Sequence, residues 1–131
     1  MMSRRDFGLA AVAGIGGLAL SSPEAATAAS APKMTLTVVY PNHDGARFDM
    51  DYYRFDHIPH AMKVMKADSV MLIEGVPNGN TPAPYAMIAI FQFASNDGLQ
   101  AALADPAMAD LRTDLTRFTD IKPTVTLGRT R

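Results

Sequence analysis

The chain of 131 residues contains no cysteine, and its charge is sparse and evenly balanced. The first absence excludes disulfide bonds, thiolate metal ligands, iron–sulfur clusters and a cysteine nucleophile. The second leaves a formal net charge of −1, with no run of lysine or arginine. Nucleic acid is held largely by clustered basic charge. The composition therefore predicts no nucleic-acid partner.

Motifs for cofactor binding are missing as well. The glycine-rich stretch at residues 14–17 does not follow a strand, so it is not a dinucleotide-binding loop. The sequence has no phosphate-binding P-loop and no G-x-S-x-G nucleophile motif. No cofactor is evident. A reductase that used a nicotinamide or a flavin on its own would need binding elements that we do not find.

The first thirty residues differ in composition from the rest. A charged start with paired arginines, Ser3–Phe7, precedes an apolar stretch, Phe7–Leu20, and a small-residue cleavage site, Ala26–Ala28. This three-part layout is typical of a secretory signal, and S-R-R-x-F is similar to the twin-arginine type. The fourteen apolar residues, rising ~1.5 Å each in a helix, are too short to cross ~30 Å of hydrocarbon.

We therefore expect residues 1–28 to be a twin-arginine-type signal peptide and residues 29–131 to be the mature domain. The protein would be exported to the periplasm, with no membrane span after signal removal. The alternative is that translation begins at Met34.

Hydrophobic periodicity in the mature domain predicts the order βαββαβ, which is an α+β, ferredoxin-like fold. The turn-rich segment 77–82 separates the second and third strands. The predicted strands are Met34–Tyr40, Val70–Val76, Tyr85–Ala94 and Thr124–Arg129, and the predicted helices are Asp49–Lys66 and one that runs from Asn96 through Asp105-Pro106 to Phe118.

The third strand is apolar on both faces. One face carries Tyr85, Met87, Ala89, Phe91 and Phe93, and the other carries Ala86, Ile88, Ile90 and Ala94. Two helices can cover only one face of the sheet, so the other face calls for a partner. We expect a homodimer packed sheet to sheet. The alternative is that the loop 77–84 or the C-terminus folds over this face.

The first helix has a well-marked start. Asp49 stands where an N-cap residue belongs, and Asp51 adds a favourable negative charge in the first turn. Phe48 and Tyr53 have the spacing of a hydrophobic staple. We therefore expect the helix to begin at Asp49.

His57 falls at the centre of the apolar face of this helix and points at the sheet. Pro59, two residues later, cannot donate to the Phe55 carbonyl, so we expect a kink beside the imidazole. A titratable ring next to a kink and an apolar surface predicts a small-molecule site with His57 as the catalytic acid or base. The alternative is a core histidine whose nitrogens are satisfied by backbone or by a tyrosine hydroxyl.

Four aromatic residues are predicted to bind the substrate beside His57. Tyr40, Tyr53 and Tyr85 could each present a hydroxyl at the end of an apolar body, and Phe91 adds apolar surface. A core role is the alternative for each. We predict no metal site, because Pro59 disrupts the helical spacing of His57 and His60 and no second ligand cluster exists.

The longest motif of the chain closely resembles the EthD family. It consists of Tyr40-Pro41-Asn42, then the run from Gly45 to Tyr53, then His57 with Pro59. Two later segments agree: Tyr85-Ala86-Met87-Ile88-Ala89, and Thr119-Asp120-Ile121-Lys122-Pro123. The resemblance implies a ferredoxin-like domain that dimerises into an α+β barrel. Members of this family are often labelled reductases or oxidoreductases.

Three functional hypotheses follow from these patterns. The first is an oxidoreductase or tailoring enzyme that acts on a small apolar or aromatic molecule, without its own cofactor motif. The second is a binding or accessory protein that serves a partner oxidoreductase. The third, a purely structural dimer, leaves the predicted kink unexplained.

Overall fold

The computed structural model of the chain describes residues 32–131. The predicted signal peptide, residues 1–28, lies outside the described residues, so the leader and the export route stay predictions. The strands are β1 (Met34–Pro41), β2 (Ser69–Glu74), β3 (Tyr85–Phe93) and β4 (Thr124–Arg129). Within residues 32–131, no helix has the length and apolar character needed to cross a membrane.

The four strands form one sheet in the order β2-β3-β1-β4, and every neighbouring pair is antiparallel. With helices after β1 and β3, this is the ferredoxin-like α+β fold that the sequence predicts. The strand boundaries lie within two residues of the predicted ones, and β4 matches its prediction at both ends. The strands differ little from prediction because β-branched and aromatic runs bounded by turns are strong local patterns.

The two faces of the sheet differ in burial. On β3, Met87, Phe91 and Phe93 are buried beneath the helices, whereas Ile88 and Ile90 face the opposite side and are half-buried. Residues from β1 and from the helices that follow β1 and β3 complete the core on the covered face. The helices therefore leave free the face that carries Ile88 and Ile90.

The first helical element, α1, has three consecutive segments: an α-helical turn (Met50–Tyr52), a π-helical turn (Tyr53–His57) and an α-helix (Ile58–Met65). Its start confirms the prediction. The Asp49 carboxylate accepts a hydrogen bond from the Tyr52 backbone N–H at 3.1 Å, and the Phe48 and Tyr53 rings lie 4.9 Å apart.

The irregularity predicted at Pro59 takes the form of the π-helical turn just before it. The Ile58 N–H donates to the Tyr53 carbonyl, five residues back. Pro59 then falls in the first turn of the following α-helix, where its missing N–H costs no helical hydrogen bond. Single π-helical turns often occur at functional sites, and this one ends at His57.

The second helix is not continuous, so that prediction is wrong. The structure has α2 (Asn96–Ala104) and α3 (Met108–Asp114), followed by a 3₁₀ turn (Leu115–Arg117). Asp105 between the helices is extended, with ψ of 125°, because a residue that precedes proline disfavours the α conformation. The break redirects the chain, and α3 packs against α1.

Candidate functional site

An apolar cavity of about 280 Å³ lies between the helix-covered face of the sheet and helices α1 and α3. Its walls include Val38, Phe91 and Val125 from the sheet, Tyr53, His57 and Ala61 from α1, and Met108, Leu111, Arg112 and Leu115 from α3 and the turn after it. Ligand sites are typically apolar cavities of this order with a few placed polar groups.

His57 lies in the wall of this cavity, and its side chain is only 8% exposed. Its ring stacks on the Tyr53 ring, with the centroids 5.7 Å apart and the planes 19° from parallel. The Phe118 ring holds it from another side at 4.6 Å. Packing and the helical backbone together fix the imidazole in one orientation.

One imidazole nitrogen is bound by a carboxylate. Nδ1 of His57 lies 2.8 Å from Oδ2 of Asp114, at the C-terminal end of α3. Because an ionised carboxylate only accepts hydrogen bonds, this contact places the proton on Nδ1 and leaves the lone pair on Nε2. Among residues 32–131, no side chain or backbone group hydrogen-bonds Nε2. The cavity-lining imidazole therefore has one free basic nitrogen.

Asp114 also accepts a hydrogen bond from the Tyr52 hydroxyl, at 2.7 Å to Oδ1. Nε of Arg117 lies 3.6 Å from the same oxygen. Burial by itself would raise the pKa of Asp114, but the hydrogen bonds from His57 and Tyr52 outweigh it and hold that pKa below its usual value. Asp114 therefore stays ionised at neutral pH.

The pKa of His57 is lowered from its ordinary value of 6.5. Burial is the largest cause, because the apolar walls disfavour the imidazolium, and the hydrogen bond and charge of Asp114 oppose the shift without cancelling it. At neutral pH the ring is uncharged and able to take a proton.

Three of the four predicted aromatic residues line the same cavity as His57: Tyr40, Tyr53 and Phe91. Burial raises the pKa of both tyrosines far above the usual range. The Tyr53 hydroxyl is buried without a hydrogen-bond partner among the described residues. The Tyr40 side chain is near enough to influence the pKa of Tyr53 but does not complete a hydrogen bond with it.

The structure does not bring Tyr85 to this cavity. Tyr85 lines a second, more open cavity of about 360 Å³, between the β2–β3 loop and the start of α1. Asn42 and Glu74 line the same space. Tyr85 and His57 therefore line different cavities, and Tyr85 is not placed to bind a ligand beside His57.

The other histidines lie outside the first cavity. His60 is exposed, and His43 sits in the loop after β1 with Nε2 3.6 Å from Asp120. Within the part of the chain that the structure describes, no group of three histidine, aspartate or glutamate side chains could hold a metal ion.

Sequence reasoning missed Asp114 and Arg112. A pattern was available for Asp114, since it stands three residues after Leu111 and four before Phe118, and both of these are buried. A carboxylate on an apolar helical stripe needs a partner. The predicted continuous helix concealed this stripe, because the break at Asp105 sets which face of α3 meets α1.

Comparison with protein-family models matches residues 44–122 to the EthD domain. This match spans more than half of the chain, so the chain belongs to the EthD family. A search of curated proteins found no match.

Solved structures share the fold. An EthD-like protein from Ralstonia eutropha JMP134 is 24% identical, with a TM-score of 0.67 over 73% of this chain and 89% of the other. An EthD family protein from Bacillus halodurans C-125 is 14% identical, with a TM-score of 0.60 over 76% and 99%. SnoaB from Streptomyces nogalater, a cofactor-independent oxygenase, is 12% identical, with a TM-score of 0.52 over 77% and 93%.

Proposed function

We propose that this EthD-family protein is a tailoring enzyme of the oxidoreductase class that removes a proton from a small apolar or aromatic molecule. The observation that carries the proposal is the free Nε2 of His57 in the wall of an apolar cavity, with Nδ1 held by Asp114 at 2.8 Å. A base with a fixed tautomer and a lowered pKa suits proton abstraction near neutral pH.

In the proposed step, a C–H or O–H bond of the substrate breaks and the proton moves to Nε2. The electron pair stays on the substrate, and Asp114 stabilises the imidazolium that forms. A resonance-stabilised carbanion or phenolate can then transfer one electron to dioxygen, which is the oxidant. The substrate radical and superoxide combine into a peroxide, which takes the proton from Nε2 and, where the same carbon carries a second hydrogen, loses water to leave a carbonyl group. SnoaB, which has the same fold, is a cofactor-independent oxygenase, and this support is at the level of fold.

The test uses anthrone, a tricyclic aromatic C–H acid, together with a panel of apolar phenols. Purified protein is incubated with each compound in air, and oxygen uptake and product absorbance are followed. We expect the wild type to accelerate oxidation of at least one compound. His57→Gln keeps a hydrogen-bonding side chain of similar reach, yet we expect it to lose at least ~10²-fold in rate.

The matched control is His43→Gln, in the exposed loop, which should keep the wild-type rate. Melting temperature is measured on both variants. A His57→Gln protein that is much less stable but oxidises the compounds as well as the wild type would return His57 to a purely structural role. Tight binding of the compounds by the wild type without turnover would instead favour a carrier that serves a partner oxidoreductase.

We also propose that two copies pack through the free face of the sheet. Ile90 pairs with Thr37 of β1 and Met71 of β2, and Ile88 lies between Val39 and Ile73 in the same way. None of the positions on this face of the four described strands carries a charged side chain. An uncharged surface with Met71, Ile73, Ile88 and Ile90 grouped on two adjacent strands suits a second copy of itself better than a charged partner.

Ile90→Asp tests the dimer. Light scattering coupled to size exclusion at micromolar concentration should give twice the chain mass for the wild type. The variant should give monomers or aggregates, because a buried unpaired carboxylate costs several kcal/mol. Val76→Asp, at a loop position that is 72% exposed, should stay dimeric. A monomeric wild type would end the proposal.

A further inference from the structure

Among the described residues that line the cavity, Arg112 has the one permanently charged side chain. All the other lining residues are apolar or aromatic, apart from His57. A single cation in such a wall is a specific chemical feature, because a guanidinium presents several N–H donors in a planar fork that matches an anionic group.

The position of Arg112 on α3 places it at the rim of the cavity. It follows Met108 by four residues and precedes Leu115 by three, so all three share one side of the helix, and all three line the cavity. Arg112 itself is exposed. Two further lining residues, Leu103 and Val125, are 38% and 58% exposed and mark the same opening to solvent.

The guanidinium of Arg112, unlike those of two other arginines nearby in the structure, has no partner among the described residues. Arg117 lies 3.6 Å from Asp114, and the Arg47 guanidinium donates to the Thr116 carbonyl at 2.8 Å. Among residues 32–131, Arg112 makes no ion pair and no side-chain hydrogen bond. No acidic residue stands three or four positions from it on the helix, where an intrahelical partner would have to be.

We propose that Arg112 binds an anionic group of the ligand, and that the site therefore selects amphiphilic molecules. The apolar body would fill the cavity beside His57, and one carboxylate, sulfonate or phenolate would lie at the rim against the guanidinium. This inference rests on the proposed function, because it requires the cavity to be a ligand site. It adds a charge requirement that the apolar wall alone does not impose.

The test compares two fluorescent probes with the same aromatic body. One is 1-anilinonaphthalene-8-sulfonate, which carries an anionic group, and the other is the neutral N-phenyl-1-naphthylamine. Both are titrated into the wild type, Arg112→Gln and Arg112→Lys, with Arg129→Gln as a control that removes an arginine outside this cavity. Val38→Phe, which fills part of the cavity, shows whether the probes occupy it.

We expect Arg112→Gln to weaken binding of the sulfonate about fivefold, which is typical of one partly exposed charge contact. Binding of the neutral probe should not change. Arg112→Lys should restore part of the affinity, Arg129→Gln should have no effect, and added salt should reduce the preference for the anion. Val38→Phe should weaken both probes.

Two failures are distinguishable. If the neutral probe binds the wild type and loses affinity in Val38→Phe, but the sulfonate binds equally to the wild type and Arg112→Gln, the anion requirement is wrong and the ligand cavity stands. If neither probe binds the wild type, or neither responds to Val38→Phe, the cavity is not their site and this inference is overturned, while the oxidation assay with His57→Gln decides the proposed function separately.

Discussion

Two histidine–aspartate pairs join the same two regions of the chain, and they differ in almost everything else. His57 and Asp114 approach to 2.8 Å, and their side chains are 8% and 12% exposed. His43 and Asp120 lie 3.6 Å apart, with side chains that are 49% and 46% exposed. His57 of the first pair lines an apolar cavity, whereas His43 and Asp120 lie in exposed loops after β1 and before β4.

A carboxylate next to an imidazole does not by itself make a site. In the exposed pair, Asp120 serves the backbone: it accepts the Arg47 N–H at 2.9 Å, and this hydrogen bond is the largest cause of its lowered pKa. In the buried pair, Asp114 fixes the tautomer of His57, while apolar walls keep the ring neutral. Burial therefore distinguishes the two pairs: the exposed carboxylate holds a backbone turn, and the buried one holds a neutral imidazole in one tautomer.

The largest effect that separates the two pairs should come from Asp114→Asn. The asparagine side chain offers one acceptor oxygen where Tyr52 and His57 both donate. We expect a loss of about 1–3 kcal/mol in the free energy of unfolding, since a buried donor is left without a partner. Denaturant unfolding measures this loss.

His43→Gln is the control for that substitution, and its melting temperature should equal that of the wild type, because the pair is exposed and 3.6 Å apart. If Asp114→Asn is as harmless as His43→Gln, burial does not distinguish the two pairs, and the comparison fails.

A smaller effect should appear in the pH dependence of stability. The pKa of His57 is 6.5 when unfolded and lower when folded, so the unfolded chain binds more protons at mildly acid pH. Stability should therefore be complete above about pH 6.5 and decline as the pH falls below it. Asp114 acts in a separate window, because its lowered pKa gives stability that is lost only below its ordinary value of 3.8.

The measurement is the melting temperature between pH 7.5 and 5 for the wild type, His57→Gln and His43→Gln. We expect His57→Gln to flatten the slope and His43→Gln to keep it. An equal slope in all three proteins would mean that His57 takes up its proton in the folded state as readily as in the unfolded state.

Local sequence patterns predict most of the fold and one member of the buried histidine–aspartate pair, His57. The cap at Asp49, the contact of Phe48 with Tyr53 and the inward direction of His57 depend on residues within one or two helical turns. The alternation on β3 depends on neighbours two residues apart. Patterns of this kind can be recognised without knowing which elements meet.

The rest depends on contacts between distant segments. Asp114 is 57 residues from His57 in the sequence, and their contact requires α3 to turn onto α1 at Asp105-Pro106. Tolerance of proline at a first helical position favours a continuous helix here, whereas the residue before a proline prefers an extended conformation, and the second preference prevails at Asp105. Without the helix boundary at Asp105, the sequence does not indicate that Asp114 contacts His57.

The smallest effect concerns the adjacent tyrosines Tyr52 and Tyr53. Of the two histidines, the more buried one has the closer carboxylate partner, whereas of these two tyrosines the more buried hydroxyl has no partner among the described residues. The Tyr53 hydroxyl is fully buried without a partner among the described residues, while the Tyr52 hydroxyl donates to Asp114 at 2.7 Å. Tyr53→Phe keeps the ring that stacks on His57 and removes only the unsatisfied group. We expect stability to stay the same or rise by up to about 1 kcal/mol.

Tyr52→Phe should instead lower the melting temperature and move the acid unfolding midpoint to higher pH, because Asp114 loses a hydrogen bond that holds its pKa down. Both variants are compared by thermal and acid unfolding in one buffer series. An equal destabilisation by the two substitutions would show that the Tyr53 hydroxyl has a partner in solution. The cavity wall beside His57 would then be more polar than its packing indicates, and a ligand would have to replace that partner.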